Sequence, residues 1–201
     1  MIEIEVKCDP TPEQKALLLS NAVLVSEEIL NDVYYDSLSY ALSIRDLWLR
    51  KRNGNFTLKK PVPNSSALAN QRYELETEEE IRRELDLPSH TTLEQEILNA
   101  GYTPLYTFTQ YRKKYSKEGF IIDIDQLKFN SYCFDRCEIE LLAEKPEDVA
   151  VATKMLIAFT KSYGIKIIPV DAKKGKLATL IKLVNPEHFK ILEKIKTNKI
   201  E

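Results

Sequence analysis

The sequence lacks most of the features that announce a function. It has five glycines among 201 residues, and no Pro/Gly-rich or low-complexity block divides it. One domain spanning residues 1–201, with a substantial core, is therefore expected. No segment repeats at a fixed period, which argues against solenoid and propeller architectures. The cysteines Cys8, Cys133 and Cys137 are odd in number and form no CxxC pair, which argues against a disulfide framework and a zinc site; they read as reduced packing residues. The two histidines, His90 and His188, fall outside every motif and read as surface residues. No apolar run is long enough to span a bilayer, and the N-terminus lacks the basic start and apolar stretch of a signal peptide. The expected location is the cytoplasm. With 29 basic and 31 acidic residues the net charge is only −2, so neither nucleic acid nor an anionic membrane is attracted in bulk. Any anion site must be local.

What is present starts at the first strand. Ile2, Ile4 and Val6 alternate with Glu3, Glu5 and Lys7. Side chains of a strand point to opposite faces with a period of two, so one face is wholly apolar and the other carries two carboxylates and an ammonium in a row. The same division recurs downstream. Arg50 and Arg52 share a face beside Trp48, and Thr57 and Lys59 share one opposite Phe56 and Leu58. Arg72, Glu74 and Glu76 alternate with Tyr73 and Leu75, Asp123 and Asp125 with Ile122 and Ile124, and Glu138 and Glu140 with Ile139 and Leu141.

Helix and turn signals fill the gaps. Thr11-Pro12-Glu13 reads as an N-cap, a first-turn proline and an early acid, opening a helix over 12–21. Residues 22–35 read as extended, and 36–44 as a connection with a helical turn. Asn53-Gly54 between 46–52 and 55–60 is a hairpin signal, because Asn-Gly accepts the positive φ angles of a type I′ turn. A strand follows over 71–77. Thr77 with Glu80 forms a capping box for a helix to residue 85, and Thr92 caps another ending at Gly101. A three-strand meander over 103–115, 119–127 and 134–142 precedes the longest helix, 146–164, and two terminal helices over 176–183 and 186–196. The sum is an α+β plan with about eight antiparallel strands, possible as a closed barrel.

The helices carry apolar stripes that must pack somewhere. If they cover the apolar strand faces from outside, the charged faces point inward and line a polar tunnel. Arg and Lys suit phosphate oxygens, and Glu-x-Glu pairs with Asp123 supply the hard oxygen donors that Mg²⁺ or Mn²⁺ prefers. A polyphosphate chain with a divalent metal satisfies both sets. The competing reading is a set of salt-bridge ladders on a solvated sheet.

In this order the segments resemble the CYTH, or triphosphate tunnel metalloenzyme, superfamily, whose signature is an N-terminal Glu-x-Glu-x-Lys strand. The resemblance runs through Glu3, Glu5 and Lys7, DVYYD (32–36), WLRKR (48–52), TLK (57–59), RYELE (72–76), Arg112, IDID (122–125), EIE (138–140) and Lys176. It implies a closed eight-stranded antiparallel barrel with helices packed outside and Mg²⁺-dependent hydrolysis of a terminal phosphate, with Mn²⁺ as an alternative cofactor. WLR-x-R and KLATLIKL look most like thiamine triphosphatase. By the same resemblance Glu3, Glu5 and Lys7 form the catalytic row, and Lys7, Arg50, Arg52, Lys59, Arg72, Arg112 and Lys176 bind the triphosphate. Asp123, Glu138 and Glu140 hold one metal, Glu3 and Glu5 hold or orient a second, and Glu74 supports the basic residues. Trp48 offers an indole face to a cationic heterocycle. Gln110 departs from the Lys common in relatives, and Asp125 shares a face with Asp123 and competes with it as ligand. Lys173 and Lys174 lie near Lys176, which the following KLATLI favours.

The expected partner is a small-molecule triphosphate, with a monomer or homodimer as the assembly. No His, Ser or Cys nucleophile is required, so no covalent phosphoenzyme is expected. The rival readings are an inorganic tripolyphosphatase, a class IV adenylate cyclase and a non-catalytic polyphosphate binder.

Overall fold

The computed structural model describes residues 2–63, 69–129, 132–170 and 175–197. The opening alternation forms strand β1 (Ile2–Cys8). Its faces part as the period of two requires: Ile2, Ile4, Val6 and Cys8 enter an apolar cluster, while Glu3, Glu5 and Lys7 line a cavity. The strands that follow are β2 (Val23–Asp36), β3 (Trp48–Arg52), β4 (Asn55–Pro61), β5 (Asn70–Leu75), β6 (Thr103–Lys117), β7 (Phe120–Phe129) and β8 (Tyr132–Ala143). They pair in the order β5-β4-β3-β2-β6-β7-β8-β1, and a further pairing of β1 with β5 closes the sheet. Every pairing is antiparallel. The result is an eight-stranded barrel whose strands all have two neighbours. A two-residue strand, β9 (Ile167–Ile168), pairs with Lys7 and Cys8 where β5 has ended.

Local chemistry sets the joints. Asn53 and Gly54 have φ of 46° and 95°, the left-handed pair that a tight β3–β4 hairpin needs. Helix α1 (Pro12–Leu19) starts at a capping box between Thr11 and Gln14, and α2 (Glu78–Leu85) at one between Thr77 and Glu80. Thr92 caps α3 (Leu93–Asn99). Helix α4 (Val149–Ser162) follows a 3₁₀ turn over Pro146–Asp148.

These four helices cover the outer wall. Leu18 of α1 and Val149, Ala152, Leu156 and Phe159 of α4 pack with Ile4, Ile122 and Ile139 of β1, β7 and β8. Ile81, Leu85, Leu93 and Ile97 of α2 and α3 pack with Leu49 and Leu58 of β3 and β4. Ile29 and Tyr111, paired across β2 and β6, stay exposed on the outer face. Cys8 and Cys137 are buried free thiols and Cys133 is an exposed one.

The last two helices, α5 (Lys176–Val184) and α6 (Pro186–Thr197), go elsewhere. Leu180, Ile181, Phe189 and Leu192 pack with Tyr106, Phe108 and Leu127. By strand parity those three side chains share the inward faces of β6 and β7 with Arg112 and Asp125. The α5–α6 hairpin thus stops one end of the barrel interior. It also buries His188, which is 1% exposed rather than on the surface. A single histidine in the charged stretch PEHFKILEK carries no marker of burial, but it shares a helix face with Leu192 four residues on. His90 is exposed. Among the described residues no helix is long and apolar enough to cross a membrane.

Candidate active site

The inward faces of the strands enclose a cavity of about 1190 Å³. Glu3, Glu5 and Lys7 come from β1, Arg50 and Arg52 from β3, Lys59 from β4, Arg72 and Glu74 from β5, Arg112 from β6, and Glu138 and Glu140 from β8; Lys176 enters from α5. Register sets neighbours across the wall: Glu5 opposite Glu140, Lys7 opposite Glu138, Glu138 opposite Asp123, and Arg112 opposite Asp125.

Acids and bases satisfy one another in ion pairs. Lys59 Nζ lies 2.7 Å from Glu3 Oε2 and 2.6 Å from Glu74 Oε1. Lys7 contacts Glu5 and lies 3.8 Å from Glu138. Asn70 Nδ2 donates to Glu5 Oε1 at 2.9 Å. Arg52 forks onto Asp32 with two bonds of 2.6 Å, and Arg112 onto Asp125 with two of 2.7 Å. Lys176 bridges Asp125 and Glu138, the latter at 2.7 Å.

These pairings set the ionisation. Burial alone would raise the Glu138 carboxyl, but Lys176, Lys7 and Arg112 outweigh it and hold it below the ordinary value. Glu5 is lowered in the same way, burial and Glu3 being overcome by Lys7 and Lys59. Asp125 is held down against burial by Lys176 and Arg112. Burial would depress the Lys59 ammonium, yet Glu3 and Glu74 hold it well above its usual range.

One corner behaves oppositely. Glu140 is pushed up to about 9, by burial first and then by Asp123, Glu3 and Glu5. Asp123 is fully buried, and although Arg112 Nη1 makes an ion-pair contact with it, neither of its oxygens has a well-directed hydrogen bond. Four acidic side chains, Glu3, Glu5, Asp123 and Glu140, thus act on one another in this corner, so the donor set fits a hard divalent cation. Among the described residues, no three acidic, histidine or cysteine side chains form a ready-made metal cluster.

The cavity changes character toward α5 and α6. Leu30, Tyr34, Ile44, Trp48, Phe108, Leu177 and Leu192 line it there. Tyr34 and Phe108 stack with centroids 6.0 Å apart and planes 13° apart. Trp48 is anchored by a 2.9 Å bond from Nε1 to Asp46 Oδ1, and Arg72 also holds Asp46 at 3.0 Å. One molecule could therefore meet charge at one end and aromatic surface at the other.

All the residues anticipated from the sequence border the cavity except Asp123, which lies in the wall behind it; Asp125 is likewise fully buried. Lys173 and Lys174 lie outside the described residues. Gln110 is 1% exposed, and its amide atoms have no hydrogen-bond partner. Sequence reasoning missed Asp46, Asn70 and Lys114, and gave Asp32 a place in DVYYD but no role. The parity of β6 reveals Lys114, two residues beyond Arg112, but nothing local marks Asp46, which precedes β3.

A closed antiparallel tunnel with inward-facing acids and bases defines the triphosphate tunnel class of proteins. The chain belongs to the CYTH domain family, whose model matches residues 1–172. Among solved structures it is similar to the PH1819 protein of Pyrococcus horikoshii, with 20% identity, coverage of 90% of this chain and 99% of that one, and a TM-score of 0.63. It is also similar to HpAC1 of Hippeastrum, which shows a dominant triphosphatase activity, at 21% identity, 89% and 93% coverage and a TM-score of 0.53. A chain of the Schizosaccharomyces pombe Mediator head module shares the fold at 11% identity, 85% and 100% coverage and a TM-score of 0.55. No curated protein matches the sequence.

Proposed function

We propose that the protein is a metal-dependent hydrolase that removes the terminal phosphate of an organic triphosphate, with thiamine triphosphate as substrate and thiamine diphosphate as product. The observation that carries this reading is the joining, in one cavity, of a mixed acid and base tunnel to an aromatic end around Trp48, Tyr34 and Phe108. Inorganic tripolyphosphate would leave the aromatic end without a partner. A cationic heterocycle over the indole face would gain from the ring quadrupole.

In this reading Lys7, Arg50, Arg52, Lys59, Arg72, Arg112 and Lys176 bind the triphosphate oxygens, and Glu74 keeps Lys59 oriented. Glu138 and Glu140, with Asp123 behind Glu140, would hold one Mg²⁺ or Mn²⁺, and Glu3 and Glu5 would hold or orient a second. The bound cation would supply charge neutralisation on the phosphate oxygens and help activate the attacking water. Water attacks the terminal phosphorus in line as the bond to the bridging oxygen breaks, releasing orthophosphate and leaving the shorter phosphate chain on the organic group. The basic side chains absorb the negative charge that grows on the bridging oxygen.

The test is to compare hydrolysis of thiamine triphosphate, tripolyphosphate and ATP with Mg²⁺ or Mn²⁺. Preference for thiamine triphosphate, weakened by Trp48→Ala, supports the reading. Equal or better turnover of tripolyphosphate that Trp48→Ala leaves unchanged points to a tripolyphosphatase, and pyrophosphate release from ATP to a cyclase.

A further inference from the structure

The corner between α5 and α6 is fastened to the barrel by a buried hydrogen-bonded knot that the proposed chemistry does not use. The His188 ring stacks on Tyr40 with centroids 3.8 Å apart and planes 2° apart. Its Nε2 lies 2.8 Å from Ser43 Oγ and its Nδ1 2.6 Å from the Tyr106 hydroxyl. Asn185, just before α6, donates from Nδ2 to the hydroxyls of Tyr40 at 2.9 Å and Tyr106 at 3.2 Å. Its Oδ1 accepts the His188 backbone N–H at 3.1 Å.

The donors assign the proton. Ser43 Oγ donates to the Tyr40 carbonyl at 3.4 Å, so toward the ring it accepts the hydrogen on Nε2, and in the neutral imidazole Nδ1 then accepts from the Tyr106 hydroxyl. A neutral imidazole thus satisfies every partner. A second proton, on Nδ1, would break the bond it accepts from the Tyr106 hydroxyl and place a charge in a buried site. Burial pulls His188 below its ordinary value, with Asp36 opposing. The groups around the ring are Tyr40, Ser43, Tyr106 and Asn185, with Asp36 acting through its charge.

The knot stands at the far end of α5 from Lys176. That helix is nine residues long, a lever of about 14 Å at 1.5 Å per residue. At its start Lys176 bridges Asp125 and Glu138, and Leu177 and Leu192 line the cavity's apolar end.

We propose that the Asn185–His188 knot is a positioning device: it locks the α5–α6 hairpin across one end of the tunnel, seats Lys176 between Asp125 and Glu138, and does so only while His188 is neutral. The role of Lys176 toward phosphate rests on the function proposed above, but its seating does not.

The test needs no substrate. Amide hydrogen exchange of the full chain, and acylation of the Lys176 amine by acetic anhydride, are followed in the wild type, His188→Phe and Ser43→Ala at pH 7.5. In both variants the α5 and α6 amides are expected to exchange, and Lys176 to acylate, at least about tenfold faster, while β1 and β8 keep their protection. Lowering the pH to 5 is expected to loosen the wild-type hairpin by a similar factor, after correction for intrinsic exchange, and to leave His188→Phe unmoved. Ser43→Ala removes the Nε2 acceptor, together with a 3.4 Å bond from Ser43 Oγ to the Tyr40 carbonyl, and keeps the test open should His188→Phe fail to fold. Unchanged hairpin exchange in the variants would overturn the proposal. So would equal loss of protection over β1 and β8, or an acid response that His188→Phe retains.

Discussion

Two arginines on one strand face separate binding from folding. Arg50 lines the cavity with its Nε unpartnered, whereas Arg52 forks onto Asp32, which is 1% exposed. Arg50→Ala should therefore lower kcat/KM by about 10²-fold with an unchanged melting temperature. Arg52→Ala should lose activity and also about 3 kcal/mol of stability, because it leaves a buried carboxylate unpaired; steady-state kinetics beside thermal unfolding tells the two apart. The carboxyls predict opposite pH responses. Glu5, Asp125 and Glu138 sit below their ordinary values, so their stabilisation is full above the unfolded value and is lost as pH falls through the folded one. Glu140, raised to about 9, contributes stability that is full below its unfolded value and is lost as pH rises through about 9. In cation-free buffer at pH 9, Glu140→Gln should melt higher than the wild type, and Mg²⁺ should narrow the gap; a lower-melting variant would refute the assignment. Alternation alone made the charged row of β1 legible. It could not reveal that Asp123 stands behind Glu140 or that His188 is buried, because both depend on contacts between distant segments.

Elements whose ends are chemically marked were readable in advance. The Asn53-Gly54 hairpin and the capping boxes at Thr11 and Thr77 form where the residue types require. The destination of α5 and α6 was not readable: an apolar stripe says that a helix is covered, not which face of a sheet covers it, and these two meet inward-facing Tyr106 and Phe108. Strand β9 is too short to carry a period. The outer helices should matter for stability and not for the tunnel's chemistry. Leu156 of α4 is fully buried against the outside of the wall, so Leu156→Ala should cost about 2–5 kcal/mol in denaturant unfolding while KM stays unchanged.

Closure of the barrel by the β1–β5 pairing converts separate charge rows into one lined space. In the structure most of the cavity's bases are held by its own carboxylates. A polyanion entering alone would strand those carboxylates, and a cation alone would strand the bases. Entering together they exchange partners, phosphates taking the bases and the cation taking the acids, so that charge stays compensated. Titration calorimetry should then find that Mg²⁺ tightens tripolyphosphate binding by at least about tenfold, and reciprocally; independent binding would contradict the exchange.

The most direct measurement of the central claim is product analysis of thiamine triphosphate incubated with the protein and Mg²⁺. Orthophosphate and thiamine diphosphate are expected in equal amounts, with loss of the reaction in Glu138→Gln. Absence of turnover of thiamine triphosphate, tripolyphosphate and ATP alike, by a folded protein with Mg²⁺ or Mn²⁺ present, would contradict it.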